Sequence, residues 1–388
     1  MPHLPTLVSL TNIPTPYRTH LYNALAAAMR ERDLDLHVVY MAETEPGRYW
    51  TFDKDASHYR YTFLPGWHIL LRGYEFHINP TFLPLMWKNP PRWLLVSGSW
   101  FFPTVQAVPL AVGKATTTLF WNESNLAYME QRSRLIDTMR RRTLDYYDGF
   151  VVPGAWARDY VHQFAPSSRN KPFLKLPNIV DETRFRDRVA ELRKERPALR
   201  RKWGCDAPSK TVLLTTARIE PIKGVRELVN ALLDFKKTRD LILLIAGTGA
   251  LLDELKARVQ AAGLEEHIRF LGYQGEENIL ELLALSDAFL LPSLGDPYPL
   301  VVIEAEFAGL PVLLSDRVGC HVEALAPGQN GFLFDPYKPE SITSAITDFL
   351  ACSQSQREQM GAQSLATAEA VFSTRQVVPH FIEELLKL

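Results

Sequence analysis

The sequence predicts an α/β protein built from two doubly wound, Rossmann-like domains. Three observations carry this. Apolar, strand-length runs alternate with helical stretches along the whole chain, the pattern of parallel sheets covered by helices on both faces. The length of 388 residues accommodates two domains. A charge-dense stretch at 182–209, ETRFRDRVAELRKERPALRRKWGCDAPS, breaks the alternation once, and Pro208 precedes a fresh strand.

Taken in order, the first half has strand candidates at 5–10, 36–41, 93–97, 116–121, 149–152 and 173–176. Helical spacing fills 17–31 and 132–147 between them. The second half has strands at 211–216, 241–246, 268–271, 288–291, 311–314 and 331–334, with helices at 225–237, 250–262, 276–285 and 299–308. The final stretch, 376–388, is amphipathic. Residues 93–113 carry no charge, but Ser97, Gly98, Pro103 and Pro109 interrupt them, which reads as strand, turn and buried helix rather than a membrane span. The opening MPHLPTLVSLTNIPTPYR lacks the basic region of a signal peptide and reads as a first strand.

The net charge is -1, but residues 1–190 carry 22 Lys and Arg against 17 Asp and Glu, and residues 191–388 carry 21 against 27. A basic first half is expected to tolerate an anionic surface or a phosphate-bearing partner, or is ordinary surface unevenness. Arg132, Arg134, Arg140, Arg141 and Arg142 concentrate there on one predicted helix, read either as an anionic-lipid contact or as a solvated face. Trp50, Trp67, Trp87, Trp93 and Trp100 crowd the same half, as core or as groove. Three cysteines without metal-like spacing suit a reducing compartment, so a cytoplasmic location is expected, with peripheral contact at the inner membrane face. A near-neutral charge without an aromatic and basic stripe argues against nucleic acid.

The chemistry concentrates in two segments. ARIEPIKG places Arg218 and Lys223 just after a strand, and DPYPLVVIE places Asp296 and Glu304 with seven residues between them. Two cations suit a diphosphate and two carboxylates suit hydroxyl groups, so no metal is required. Pro297 and Pro299 fit the start of a helix whose positive end would face an anion. Asp296 reads alternatively as a helix cap. Gly247 and Gly249 in AGTG, after LILLIA, allow close backbone approach to a ligand or form an ordinary turn. In the first half, Glu123 and Asn122 in FWNESN follow a strand. Glu123 is a candidate acid, base or sugar-hydroxyl ligand, or a cap. Asp33-Leu34-Asp35 sits at the wrong end of a strand for a metal site.

In this order and spacing, ARIEPIKG, AGTG, the DPYPLVVIE segment and NGFLFDP resemble the donor-binding half of the retaining glycosyltransferases of family four, over nearly all of 210–372. That resemblance implies the GT-B fold: two Rossmann-like domains facing a central cleft, with the C-terminal helix crossing back. It implies an acceptor domain, 1–190 with 373–388, and a donor domain, 191–372. Arg218 and Lys223 would bind the donor diphosphate, Asp296 the transferred sugar and Glu304 the ribose. Gly272, Tyr273, Tyr298, Leu300 and Val301 match positions near the donor, and Tyr17 and Arg18 open the acceptor side. The implied reaction is retaining, cofactor-free and metal-independent transfer from a UDP- or GDP-sugar to a glycan, lipid-linked or small-molecule acceptor, in polysaccharide or glycolipid synthesis. Three departures keep a decayed nucleotide-sugar binder or an epimerase of the same fold in view. Asp296 stands for the usual Glu, Pro297 and Pro299 replace glycines, and Asn122 and Glu123 occupy a region where relatives carry a His.

Overall fold

The computed structural model describes residues 4–45, 52–71, 74–128 and 134–388; Trp50 and Arg132 lie outside them. The chain forms two units, Met1–Ile179 with Thr374–Leu388, and Val180–Ser373. The changeover precedes the sequence-expected boundary after residue 190, because Val180, Phe185 and Val189 are buried with Leu283 and Leu310 in the core of the second unit.

In the first unit the strands are β1 (Thr6–Thr11), β2 (Asp35–Tyr40), β3 (Arg60–Phe63), β4 (Trp67–Leu71), β5 (Tyr74–Ile78), β6 (Trp93–Val96), β7 (Thr117–Trp121), β8 (Gly149–Val152) and β9 (Phe173–Lys175). Among the described residues, seven of them form one parallel sheet in the order β3-β2-β1-β6-β7-β8-β9. β4 and β5 form a separate antiparallel hairpin. Every residue of β6 and β8 is buried, as expected of strands covered on both faces. The helix Pro16–Arg30 starts on a proline whose missing N–H costs nothing there. It buries Leu21, Tyr22, Leu25 and Met29 in a cluster shared with Val377, Val378, Phe381, Ile382 and Leu385 of the final helix, Thr374–Leu386. The final helix therefore belongs to the first unit although it closes the chain.

β10 (Thr211–Thr216), β11 (Leu241–Ala246), β12 (Ile268–Gly272), β13 (Ala288–Leu291), β14 (Val312–Ser315) and β15 (Gly331–Phe334) build the second unit. They form a parallel sheet in the order β12-β11-β10-β13-β14-β15. In both sheets the order reverses next to the first strand, between β1 and β6 and between β10 and β13. Helices leave in opposite directions at such a reversal, which opens a crevice at the strands' carboxyl ends.

All twelve predicted strands are present within a residue or so, whereas β3 and the hairpin were not anticipated. The uncharged run after residue 93 folds as β6 and two short helices, Pro103–Gln106 and Val108–Ala111. No helix among the described residues is long and apolar enough to cross a membrane.

Candidate functional site

Two polar clusters stand at the two sheet reversals, one in each unit. In the second unit, the chain leaving β10 passes Arg218 and turns through Pro221–Lys223 into Gly224 at φ 66°. A Cβ on Gly224 would lie 1.9 Å from the Pro292 carbonyl oxygen. Only glycine lets this turn press against the segment after β13, where the Leu294 N–H donates to the Ile222 carbonyl at 2.9 Å. The result is a contact of 2.5 Å between Lys223 Nζ and Asp296 Oδ2, residues that lie far apart in sequence. Asp296 is buried and its backbone is held on both sides, by the Arg317 carbonyl and the Gly319 N–H. Arg218 is exposed and makes no hydrogen bond or ion pair among the described residues, leaving its guanidinium available to an anion.

The helix Leu300–Phe307 follows, with Pro299 rather than Asp296 at its N-cap. Its first-turn residues Leu300 and Val301 are half-buried against the core. Glu304 is half-buried on the same helix. Burial first, and then the nearby Glu276 carboxylate, push its carboxyl up to about 7. Glu306, two residues on, is fully buried and accepts from Asn330 Nδ2 at 3.2 Å; burial holds its carboxyl well above the usual range. Two carboxylates on one short helix thus meet different environments, one half-buried near Glu276 and one fully inside the core.

Other expected donor residues are placed differently. Tyr298 is buried edge-on to Phe372, and its hydroxyl has no partner among the described residues. It is a core residue. Gly247 at φ 151° packs against protein rather than open space: a Cβ would meet the Ala217 carbonyl oxygen at 1.8 Å. At Gly249 the obstacle is the Ile219 carbonyl oxygen at 2.5 Å. Both glycines let the turn after β11 back the turn that carries Arg218. The Gly272 carbonyl accepts from the Gly247 N–H at 2.8 Å, and Tyr273 beside it is 81% exposed.

In the first unit, Arg18 in the first turn of Pro16–Arg30 is almost fully buried. Its guanidinium donates to Thr11 Oγ1 at 2.9 Å, Ser97 Oγ at 3.0 Å and Glu123 at 2.8 Å, and lies over the Trp121 ring at 4.5 Å. These partners end β1, β6 and β7, so one cation ties the strand ends together. Burial is the largest single influence and works against this charge, but Glu123 together with Tyr17 and Tyr22 outweighs it, so the proton is held more tightly than usual. The second Glu123 oxygen accepts from Asn178 Nδ2 at 2.7 Å, so both carboxylate oxygens are engaged within the protein. Asn122 spends its amide on the Ser124 and Ala157 carbonyls. Arg18 and Tyr17 line a cavity of about 420 Å³, joined by Trp100, Tyr160 and Arg140. Sequence reasoning did not single out Trp100 and Tyr160 as neighbours of a cation. Arg140 lies 5.4 and 5.6 Å from their ring centroids, a pairing that only the fold creates. Asp33-Leu34-Asp35 lies at the amino end of β2, where Asp35 pairs with Arg60.

Comparison with known proteins shows what the chain is similar to. Residues 196–366 match the family described as Glycosyl transferases group 1. A D-inositol 3-phosphate glycosyltransferase of Jonesia denitrificans is 31% identical over 189 residues, 47% of this chain and 41% of that protein. An N-acetyl-alpha-D-glucosaminyl L-malate synthase of Bacillus anthracis is 26% identical over 213 residues, 55% of this chain and 53% of that protein. The chain thus spans about half the length of the curated relatives it matches. In fold, the chain is similar over its full length to HepE of Anabaena, solved in complex with UDP, at a TM-score of 0.74 and 17% identity. A sucrose-phosphate synthase of Thermosynechococcus elongatus matches 99% of this chain and 98% of its own, at a TM-score of 0.72 and 18% identity. Those neighbours share the GT-B architecture of two Rossmann-like halves.

Proposed function

We propose that this chain, whose residues 196–366 match the glycosyl transferases group 1 family, is a retaining, metal-independent glycosyltransferase. It transfers a sugar from a nucleotide sugar to a glycan, lipid-linked or small-molecule acceptor. The observation that carries this is the Lys223–Asp296 contact at the β10 and β13 ends, with unpaired Arg218 on the same turn. Two cations there can neutralise a departing diphosphate as a metal would, and Asp296 is held rigid beside them. Glu304 accepts hydrogen bonds from the ribose hydroxyls. The departing phosphate takes the acceptor's proton on the face it leaves, so no protein base is required. This agrees with Glu123 being engaged on both oxygens.

The first unit holds the acceptor in the cavity beside Arg18 and Arg140, whose cations and aromatic walls suit a sugar bearing phosphate. The helix Arg134–Tyr146 exposes Leu135, Ile136 and Met139 with Arg141 and Arg142. That combination supports peripheral contact with an anionic membrane.

The test is thermal stabilisation against UDP-, GDP-, ADP- and TDP-sugars, with and without EDTA. UDP-sugars come first because HepE holds UDP. One nucleotide raising Tm, by an increment EDTA leaves unchanged, is the expected result. No increment with any donor, or one that EDTA abolishes, would overturn the reading. Turnover of the bound donor then separates an enzyme from a binder.

A further inference from the structure

We infer that the β4–β5 hairpin holds a first-row divalent cation, zinc or a similar ion, between His68, His77 and Glu75. His68 and His77 are cross-strand partners in the hairpin register, and Glu75 precedes His77 by two residues. Residues two apart on a strand share a face, as do direct partners across it, so the three side chains project together. Their ligating atoms all lie within 4.8 Å of one another.

The hydrogen bonds around the imidazoles define which atoms face inward. The Nδ1 atoms of His68 and His77 are 2.8 Å apart, while His77 Nε2 lies 3.0 Å from Glu45 Oε1. An ionised carboxylate only accepts, so His77 Nε2 carries the proton and its Nδ1 presents a lone pair to the hairpin face. His68 Nδ1 then donates to it. Carboxylate, imidazole and metal in line is the arrangement that fixes the tautomer and raises the basicity of a ligating histidine. Glu45 is itself oriented by Asn12 Nδ2 at 2.7 Å, and His77 is fully buried edge-on to Phe102. A surface histidine pair with no further role would need neither the buried ring nor the carboxylate behind it.

A cation replaces the proton between the two rings. Zinc-to-nitrogen bonds of about 2.0–2.1 Å set tetrahedral nitrogen ligands about 3.3 Å apart, so the rings need part by only about 0.5 Å. His68, which is exposed, moves its proton to Nε2. Two imidazoles and one carboxylate leave a fourth position for water, and the donor set suits zinc, cobalt or nickel rather than calcium or magnesium. Asn12 also lines the Arg18 cavity, so the occupied hairpin would stiffen one wall of that cavity.

The test uses the full-length chain stripped with EDTA. Zinc is titrated in competition with a chromophoric chelator, and cobalt is added separately to read its ligand-field bands. One equivalent of zinc should bind, with cobalt giving the intense visible absorption of four-coordination. His68→Ala and Glu75→Gln should each weaken zinc binding by about tenfold or more, and Glu45→Gln by about tenfold to a hundredfold. His68 is exposed, so its replacement leaves the fold intact, whereas a His77 variant would confuse lost ligation with lost packing. Zinc binding that is absent in the parent chain, or equal in the His68→Ala/Glu75→Gln double variant, would overturn the proposal. Neither result bears on the donor site, because the donor-induced rise in Tm is read with EDTA present as well as without it.

Discussion

The Glu304 carboxyl supplies the most exacting test of the donor site. It stands at about 7 because burial and Glu276 both disfavour its ionised form. A ribose hydroxyl donates to a carboxylate, so nucleotide binding must draw from the ionised population. Below pH 7 that population shrinks about tenfold per pH unit, about 1.4 kcal/mol each. Affinity for UDP-glucose, which carries no group of its own titrating there, should therefore fall about fivefold between about pH 7 and about pH 6 and about tenfold more by about pH 5, with little further gain above about pH 8. Calorimetry in buffers of different ionisation enthalpy should show proton release on binding near neutrality. The sign for stability is opposite. A carboxyl raised in the folded state stabilises the fold below its ordinary value of 4.5, and this contribution is lost as pH rises toward 7. Glu304→Gln should thus bind nucleotide weakly at every pH, yet resist urea better at about pH 8. That gain is at most about 3 kcal/mol, and less because the group is only half-buried. Donor affinity independent of pH, or an equal pH dependence in Glu304→Gln, would refute the ribose assignment.

Three other outcomes are expected. Lys223→Ala should lower kcat about a hundredfold to a thousandfold, as losing one preorganised charge partner does. KM for the donor should change less, and a raised KM with kcat unchanged in steady-state assays would argue for simple binding. Arg18→Met strands the Glu123 carboxylate at the β-strand ends, leaving it only the Asn178 amide, and should cost about 3 kcal/mol in urea unfolding, partly regained by adding Glu123→Gln. Tyr298→Phe removes a buried hydroxyl that has no partner, so stability should hold or rise by about 1 kcal/mol and donor affinity should not change. A tenfold loss of donor affinity in that variant would return Tyr298 to the donor site.

Much of this protein is legible in its sequence because its signals are local. β11 and β13 are continuous apolar runs, and a parallel strand buried on both faces reads this way. The helix after Asp296 announces itself through Pro299, and Arg218 and Lys223 through their place behind a strand. The hairpin was missed because WHILL and YEFHI mix exposed apolar residues with buried histidine, which defeats alternation. Here the only local clue is the two-residue spacing around Arg72 and Gly73.

Tertiary structure alone decided which side chains meet. Lys223 reaches Asp296 because Gly224 fits against Pro292, a steric condition between segments that no local pattern encodes. Resemblance picked Glu304 over Glu306, and the packing supplies the physical difference: Glu306 is buried against Asn330 as a core acid, while Glu304 is half-buried. Arg18 and Glu123 were each recognisable as polar residues near strand ends. Their pairing and burial follow from where the sheet order reverses, and reversal is a property of strand pairing, which sequence periodicity does not carry. The chain's alternation of strands and helices thus set the architecture and the ends of the strands where chemistry gathers. The close approach of distant segments set which of those residues share a site.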